Sequence, residues 1–141
     1  MRGPSSAPTD STSSSRSKRR FSLAQANQSL PLVSRIVTDI VRTHAEAVEL
    51  QSNIGRLPTK DQPAAQAQLD RHLERLEDYV DELTEVGCEL KDYSTGLIDF
   101  IGRHEDRDVC LCWKLGEDAV RHWHELTAGF AGRQPVATLR E

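Results

Sequence analysis

Aromatic side chains are scarce in this chain: two Trp, two Tyr and three Phe among 141 residues. A core built mainly from aliphatic side chains is therefore expected. Cysteine is scarce too. There are three, an odd number, and Cys110 and Cys112 stand too close for an easy mutual disulfide. That argues against a disulfide scaffold and points to a reduced, cytoplasmic setting. No apolar run approaches the ~20 residues a membrane helix needs. The first residues lack the apolar stretch of a signal peptide, so neither a membrane span nor a leader is expected. A serine elbow, a phosphate loop and a nucleotide fingerprint are all missing, so no motif fixes a reaction.

What is present suits one domain. Hydrophobic residues make up 37% of the chain, enough for a single modest core. The net charge of −4 is unevenly spread. Residues 1–20 carry Arg2, Arg16, Lys18, Arg19 and Arg20 against Asp10, a surplus of +4, which leaves the remainder at −8. An acidic body repels phosphate backbones, so nucleic-acid binding is expected only through the basic stretch, if at all. Rich in Ser, Thr, Pro and Arg and nearly free of apolar side chains, residues 1–20 cannot offset the entropy of ordering and read as a disordered tail.

The fold is predicted to start at Ser22. Ser22-Leu23-Ala24-Gln25 is a capping box, with Phe21 placed to pack over the first turn. A short helix to about Gln28 and a restart at Pro31 are expected, since proline suits a first turn and not a helix interior. Val33, Ile36, Val37, Ile40, Val41, Ala47, Val48 and Ile54 then recur at threes and fours, with Gly55 placed to end the helix. A second helix is expected from about Pro63 to Val86. Leu69, Leu73, Leu76, Val80 and Leu83 form a heptad seam, closed by Gly87. Two such helices pack antiparallel. The seam left over by the hairpin leads to the expectation of a homodimer.

After Gly87 the period changes. Cys88–Asp92 alternates, Tyr93–Gly96 is a turn, and Leu97–Ile101 is a β-prone run stopped by Gly102. Arg103–Arg107 forms a polar turn before a third strand over 108–115. In that strand Val109, Leu111, Trp113 and Leu115 share one face, and Cys110, Cys112 and Lys114 the other. Glu117 and Asp118 suit a helix N-terminus, and Ala119, Val120, Trp123 and Leu126 give a short helix its buried side. A glycine-rich loop runs from Gly129 to Pro135. The fold class that results is α+β and mainly helical: a long antiparallel helical hairpin, a three-stranded antiparallel meander and a short C-terminal helix. This single domain covers 21–136, with 137–141 read as a flexible end.

Several motifs in this block occur in a familiar order: Gly87-Cys-Glu-Leu-Lys-Asp92, Gly96-Leu-Ile-Asp-Phe100, Leu111-Cys-Trp-Lys-Leu-Gly-Glu117, Trp123-His-Glu-Leu126 and Ala128-Gly-Phe-Ala-Gly-Arg133. With the start Phe21 to Pro31, they resemble the bacterial domain of unknown function family 2203 over about residues 21–136. The resemblance implies a cytoplasmic helical-hairpin protein with a small β-rich C-terminal element, and no defined activity, substrate or cofactor. Cys110 departs from the family's pattern, where an aromatic such as Tyr is more usual.

Candidate sites lie in the same block. Cys110-x-Cys112 with His122-x-His124 offers the soft thiolates and imidazoles that zinc prefers. Histidines two apart on a helix, however, point in different directions. Buried structural cysteines are therefore the favoured reading, and no cofactor is expected. For metal the candidates are Cys110, Cys112 and His124. For acid–base chemistry they are His124 with Asp99 and Glu117, since a histidine titrating near neutrality needs an orienting carboxylate. Arg133 could hold a carboxylate or phosphate with Trp123 beside it. The alternatives are that Arg133 pairs with Asp92 or Asp99 inside the fold, and that Trp113 and Trp123 are core anchors. The function expected is a binding or assembly module acting through the hairpin and the C-terminal block. The runner-up is a small enzyme or metal-dependent module centred on His124, Asp99 and Glu117, and a third possibility is tethering to nucleic acid or membrane by the basic tail.

Overall fold

The computed structural model describes residues 19–141, so the tail reading falls outside it for residues 1–18. Helix α1 spans Leu23–Ile54 and α2 spans Gln62–Val86, joined through a short 3-10 turn at Thr59–Asp61. The Ser22 hydroxyl accepts from the Gln25 amide, and the Gln25 side chain accepts from the Ser22 amide, so the predicted capping box forms in full. Gly55 ends α1, and Gly87 ends α2 in a left-handed conformation (φ 116°) that disfavours any side chain.

Contrary to the restart expected at Pro31, α1 does not break before the proline but runs through it. Proline removes the bond to the Asn27 carbonyl, a cost of ~3 kcal/mol. On the two sides of it Ala26, Leu30, Val33, Ile36 and Val37 are all buried. Each aliphatic side chain fully buried is worth ~1.5–3 kcal/mol, so packing outweighs the missing bond.

The C-terminal block is an antiparallel sheet of five strands, not three, and strand order follows chain order. The strands are β1 (Cys88–Asp92), β2 (Leu97–His104), β3 (Arg107–Lys114), β4 (His122–Glu125) and β5 (Gln134–Pro135). β2 passes through Gly102 because the Leu111 side chain occupies the space a Cβ would take, 2.7 Å from its Cγ. The β2–β3 turn places Glu105 and Asp106 at positive φ, the backbone a two-residue hairpin requires.

The expected C-terminal helix is absent from 117–126, where β4 stands instead. Beyond β4 the only helical pieces are two single 3-10 turns, Phe130–Gly132 and Val136–Thr138. Asn27 of α1 explains part of this, since its side-chain oxygen accepts from the Val120 amide at 2.7 Å and fixes the approach to β4. The rest is burial of Trp123, which sits opposite Leu111 on the sheet face turned to the helices. Leu126, assigned to the buried side of that helix, is 56% exposed.

The core lies between the hairpin and this inner face. Cys88, Ile98, Phe100, Val109, Leu111, Trp113 and Trp123 meet Leu30, Val33, Ile36, Val37 and Ile40 of α1 and Leu76 and Leu83 of α2. Phe21 closes one end, edge-on to Phe100 with ring centroids 4.9 Å apart. The seam of α2 is thinner than its heptads predict: Leu69, Leu76 and Leu83 are buried, whereas Leu73 is 48% exposed. Residues 137–141 are tied down. The Arg140 amide donates to His104 Nδ1, and Glu141 accepts from the Leu23 amide. Arg20 is fixed as well, its guanidinium forked on Asp108. Among the described residues, no helix is long and apolar enough to cross a membrane.

Candidate functional site

Strand alternation decides which side chains share the outer face of the sheet, away from the helices. Asp99 pairs with Cys112 across β2–β3, Cys110 with His124 and Cys112 with His122 across β3–β4. Asp99, Cys110, Cys112, His122 and His124 therefore stand on one face. The two histidines fall together because they lie on a strand. On the expected helix they would point apart.

An outer face would ordinarily be wet, but Asp99, Cys110, Cys112 and His124 are all buried. The strap between β4 and β5 carries Phe130 and Arg133 back toward the sheet. Arg133 donates through Nε to Cys112 Sγ at 3.4 Å and forks on Glu117 with two bonds of 2.8 Å. Its guanidinium also lies 4.7 Å from the centre of the Phe130 ring. Arg133 thus pairs with Glu117 rather than with Asp92 or Asp99. The Lys114 amide also donates to Glu117, to the Oε1 that accepts from Arg133 Nη2, at 2.9 Å. Burial pushes the Glu117 carboxyl up, but the Arg133 hydrogen bonds, the Lys114 amide and the nearby positive charge outweigh it and hold the group below its ordinary range.

The thiols behave in the opposite way. Burial first, then the Asp99 carboxylate, push Cys110 up to about 12. Burial raises Cys112 to about 11 even though Arg133 pulls it down. Both are neutral thiols near pH 7, and neither is an activated nucleophile.

Both ring nitrogens of His124 face polar groups of the fold. Nδ1 lies 2.7 Å from the Glu125 carbonyl oxygen, and Nε2 lies 3.2 Å from Asp99 Oδ1. The carbonyl can only accept, so Nδ1 carries a proton. One carboxylate oxygen of Asp99, Cys112 Sγ and one His124 ring nitrogen lie within 4.8 Å of one another. Beside them, the buried Nδ1 of His122 has no hydrogen-bond partner.

The structure therefore brings Asp99, Cys112 and His124 together, and joins Glu117 and Arg133 to them through Cys112. Trp123 stays apart: it is a core anchor on the inner face, its Nε1 donating to Thr138 at 2.9 Å, its ring 4.4 Å from that of His104. His122 is the residue of this face that a helical reading of 117–126 sets aside. Its place two residues before His124, in step with the Cys110–Cys112 spacing, is the signal that marks it.

No curated protein sequence and no solved structure matches the chain. A family described as "Uncharacterized conserved protein (DUF2203)" matches residues 19–136, which takes in the hairpin, the sheet and every residue of this cluster, and the chain belongs to that family.

Proposed function

We propose that the protein is a binding and assembly module whose projecting helical arm pairs with a second copy of the chain. The observation that supports this is the mismatch between hairpin and sheet. At ~1.5 Å per residue, the 32 residues of α1 extend roughly 48 Å. The shared core takes its α1 contacts from Leu23 to Val41. Beyond Val41 the hairpin fully buries only Thr43, Ala47, Ala65 and Leu69, with Leu50, Ile54 and Leu57 half-buried. Two helices joined by so thin a seam of mostly small side chains gain little from each other, and a third surface is the usual remedy. Val48 and Leu73, 51% and 48% exposed, are the large apolar side chains left on this arm.

The disposition of the polar cluster also favours binding over catalysis. A general base needs one nitrogen free for its substrate, and both nitrogens of His124 face groups of the fold. Glu117 and Arg133 satisfy each other. Sedimentation of the full chain over a concentration series tests the reading: a dimer is expected, converted to monomer by Leu73→Glu with unchanged helicity. A wild-type protein that stays monomeric to high micromolar concentration would refute it.

A further inference from the structure

With Nδ1 of His124 protonated toward the Glu125 carbonyl, its Nε2 is left facing Asp99 Oδ1 at 3.2 Å. A ring nitrogen and a carboxylate oxygen buried at that distance call for a proton or a cation between them. The sulfur of Cys112 is the third donor atom of the same cluster. We propose that Asp99, Cys112 and His124 bind one divalent transition-metal ion of the zinc type on the outer face of the sheet.

The donor chemistry selects the ion. Sulfur, imidazole nitrogen and a single carboxylate suit Zn²⁺ or Co²⁺, whereas Mg²⁺ and Ca²⁺ take oxygen. Metal–ligand bonds of ~2.0–2.3 Å in a tetrahedron put donor atoms roughly 3.3–3.6 Å apart. The Asp99–His124 pair is already at 3.2 Å, and no pair in the cluster is beyond 4.8 Å, so small side-chain movements suffice. A histidine whose other N–H is fixed by a backbone carbonyl is oriented as metal-bound histidines are. The charges close as well: one carboxylate and one thiolate balance a dication, which leaves a buried site neutral.

Two further features fit. The backbone is rigid here, since Asp99 and Cys112 are direct ladder partners and His124 lies on the next strand. Directly across from Cys112, His122 presents a buried Nδ1 without a partner, an independent sign of unmet polar demand at this face. Three protein ligands leave a fourth position for water or another small donor.

The test uses the full chain, purified without a histidine tag and stripped with a chelator. Titration with Co²⁺ should saturate at one ion per chain. It should give the visible bands of a tetrahedral ion, together with a thiolate-to-cobalt charge-transfer band, and Zn²⁺ should displace both. Cys112→Ser should abolish the charge-transfer band, whereas Cys88→Ser, on the inner face, should keep it. His124→Gln should weaken binding by about 100-fold or more. The wild-type titration decides even if a variant fails to fold. Absence of saturable Co²⁺ and Zn²⁺ binding, or saturation without a charge-transfer band, overturns the proposal. So does a charge-transfer band that survives Cys112→Ser.

Discussion

Replacing Arg133 by Met keeps most of the side-chain length and removes the guanidinium that holds the strap to Glu117. The two bonds it loses to Glu117 are charge-assisted, both 2.8 Å long, between side chains only 12% and 23% exposed. Exposed ion pairs are worth ~0–1 kcal/mol, and breaking a fully buried one costs ~3–5. This pair lies between those limits, and Glu117 keeps the Lys114 amide when Arg133 is gone. A coupling energy of about 1.5–2.5 kcal/mol is therefore expected from a double-mutant cycle of Arg133→Met with Glu117→Gln, measured by urea unfolding at pH 7 in the presence of a chelator. The pH dependence sharpens the test. Because the folded-state pKa of Glu117 is depressed, its contribution is complete above the ordinary carboxylate value and is lost as pH falls through the folded value. The gap between wild type and Arg133→Met should then be flat above about pH 6 and narrow below ~4.3. A coupling under ~0.5 kcal/mol, or a gap unchanged down to pH 3, would show that the strap is held by something other than this pair.

Gly102→Ala puts a methyl group 2.7–3.0 Å from three atoms of buried Leu111 and should cost about 1–3 kcal/mol, read as a lower midpoint in chemical denaturation. Ser22→Ala removes half of the capping box and should cost ~1 kcal/mol, checked by thermal melting; an unchanged melting temperature would mean that Phe21 packing alone sets the start of α1. Burial raises Cys88, Cys110 and Cys112, to about 12, 12 and 11, above the unfolded-state value of ~8.5. Their contribution to stability is thus full below pH ~8.5 and is lost as pH rises toward those values, so the metal-free protein should melt progressively lower above pH 9. The same burial should slow thiol reaction with a disulfide reagent at pH 8 by roughly 100-fold or more relative to the urea-unfolded chain.

The hairpin is legible in the sequence because its signals are local. Ser22 with Gln25, the threes and fours of α1, and Gly55 and Gly87 each act within a few residues of where they stand. Pro31 misleads because its cost is local while the burial of Leu30 and Val33 is not. The segment 117–126 misleads for a related reason. Ala119, Val120, Trp123 and Leu126 carry helical spacing, and the competing alternation His122-Trp123-His124-Glu125 is only four residues long, so the choice rests on Leu111 and Asn27, the second of them distant in sequence. The candidate site shares that fate. The common facing of Cys110 and Cys112 comes directly from strand alternation, but the approach of His124 needs β4, and the Arg133–Glu117 pair spans 16 residues of largely irregular chain.

Strand order that follows chain order has a kinetic consequence. Every ladder of the sheet closes between neighbours in sequence, and the two helices meet across a short turn, so most of the fold can form by short-range steps. Among the exceptions are ties that seat the start of α1 on the far end of the chain: Arg20 to Asp108, Asn27 to Val120 and Leu23 to Glu141, with separations of 88, 93 and 118 residues. Ties this long carry a large loop-closure entropy, so they are expected to form after the folding barrier. Weakening them should leave the refolding rate nearly untouched and act on the lifetime of the native state, so that the latch between the two ends of the domain governs how long it stays folded rather than how fast it folds.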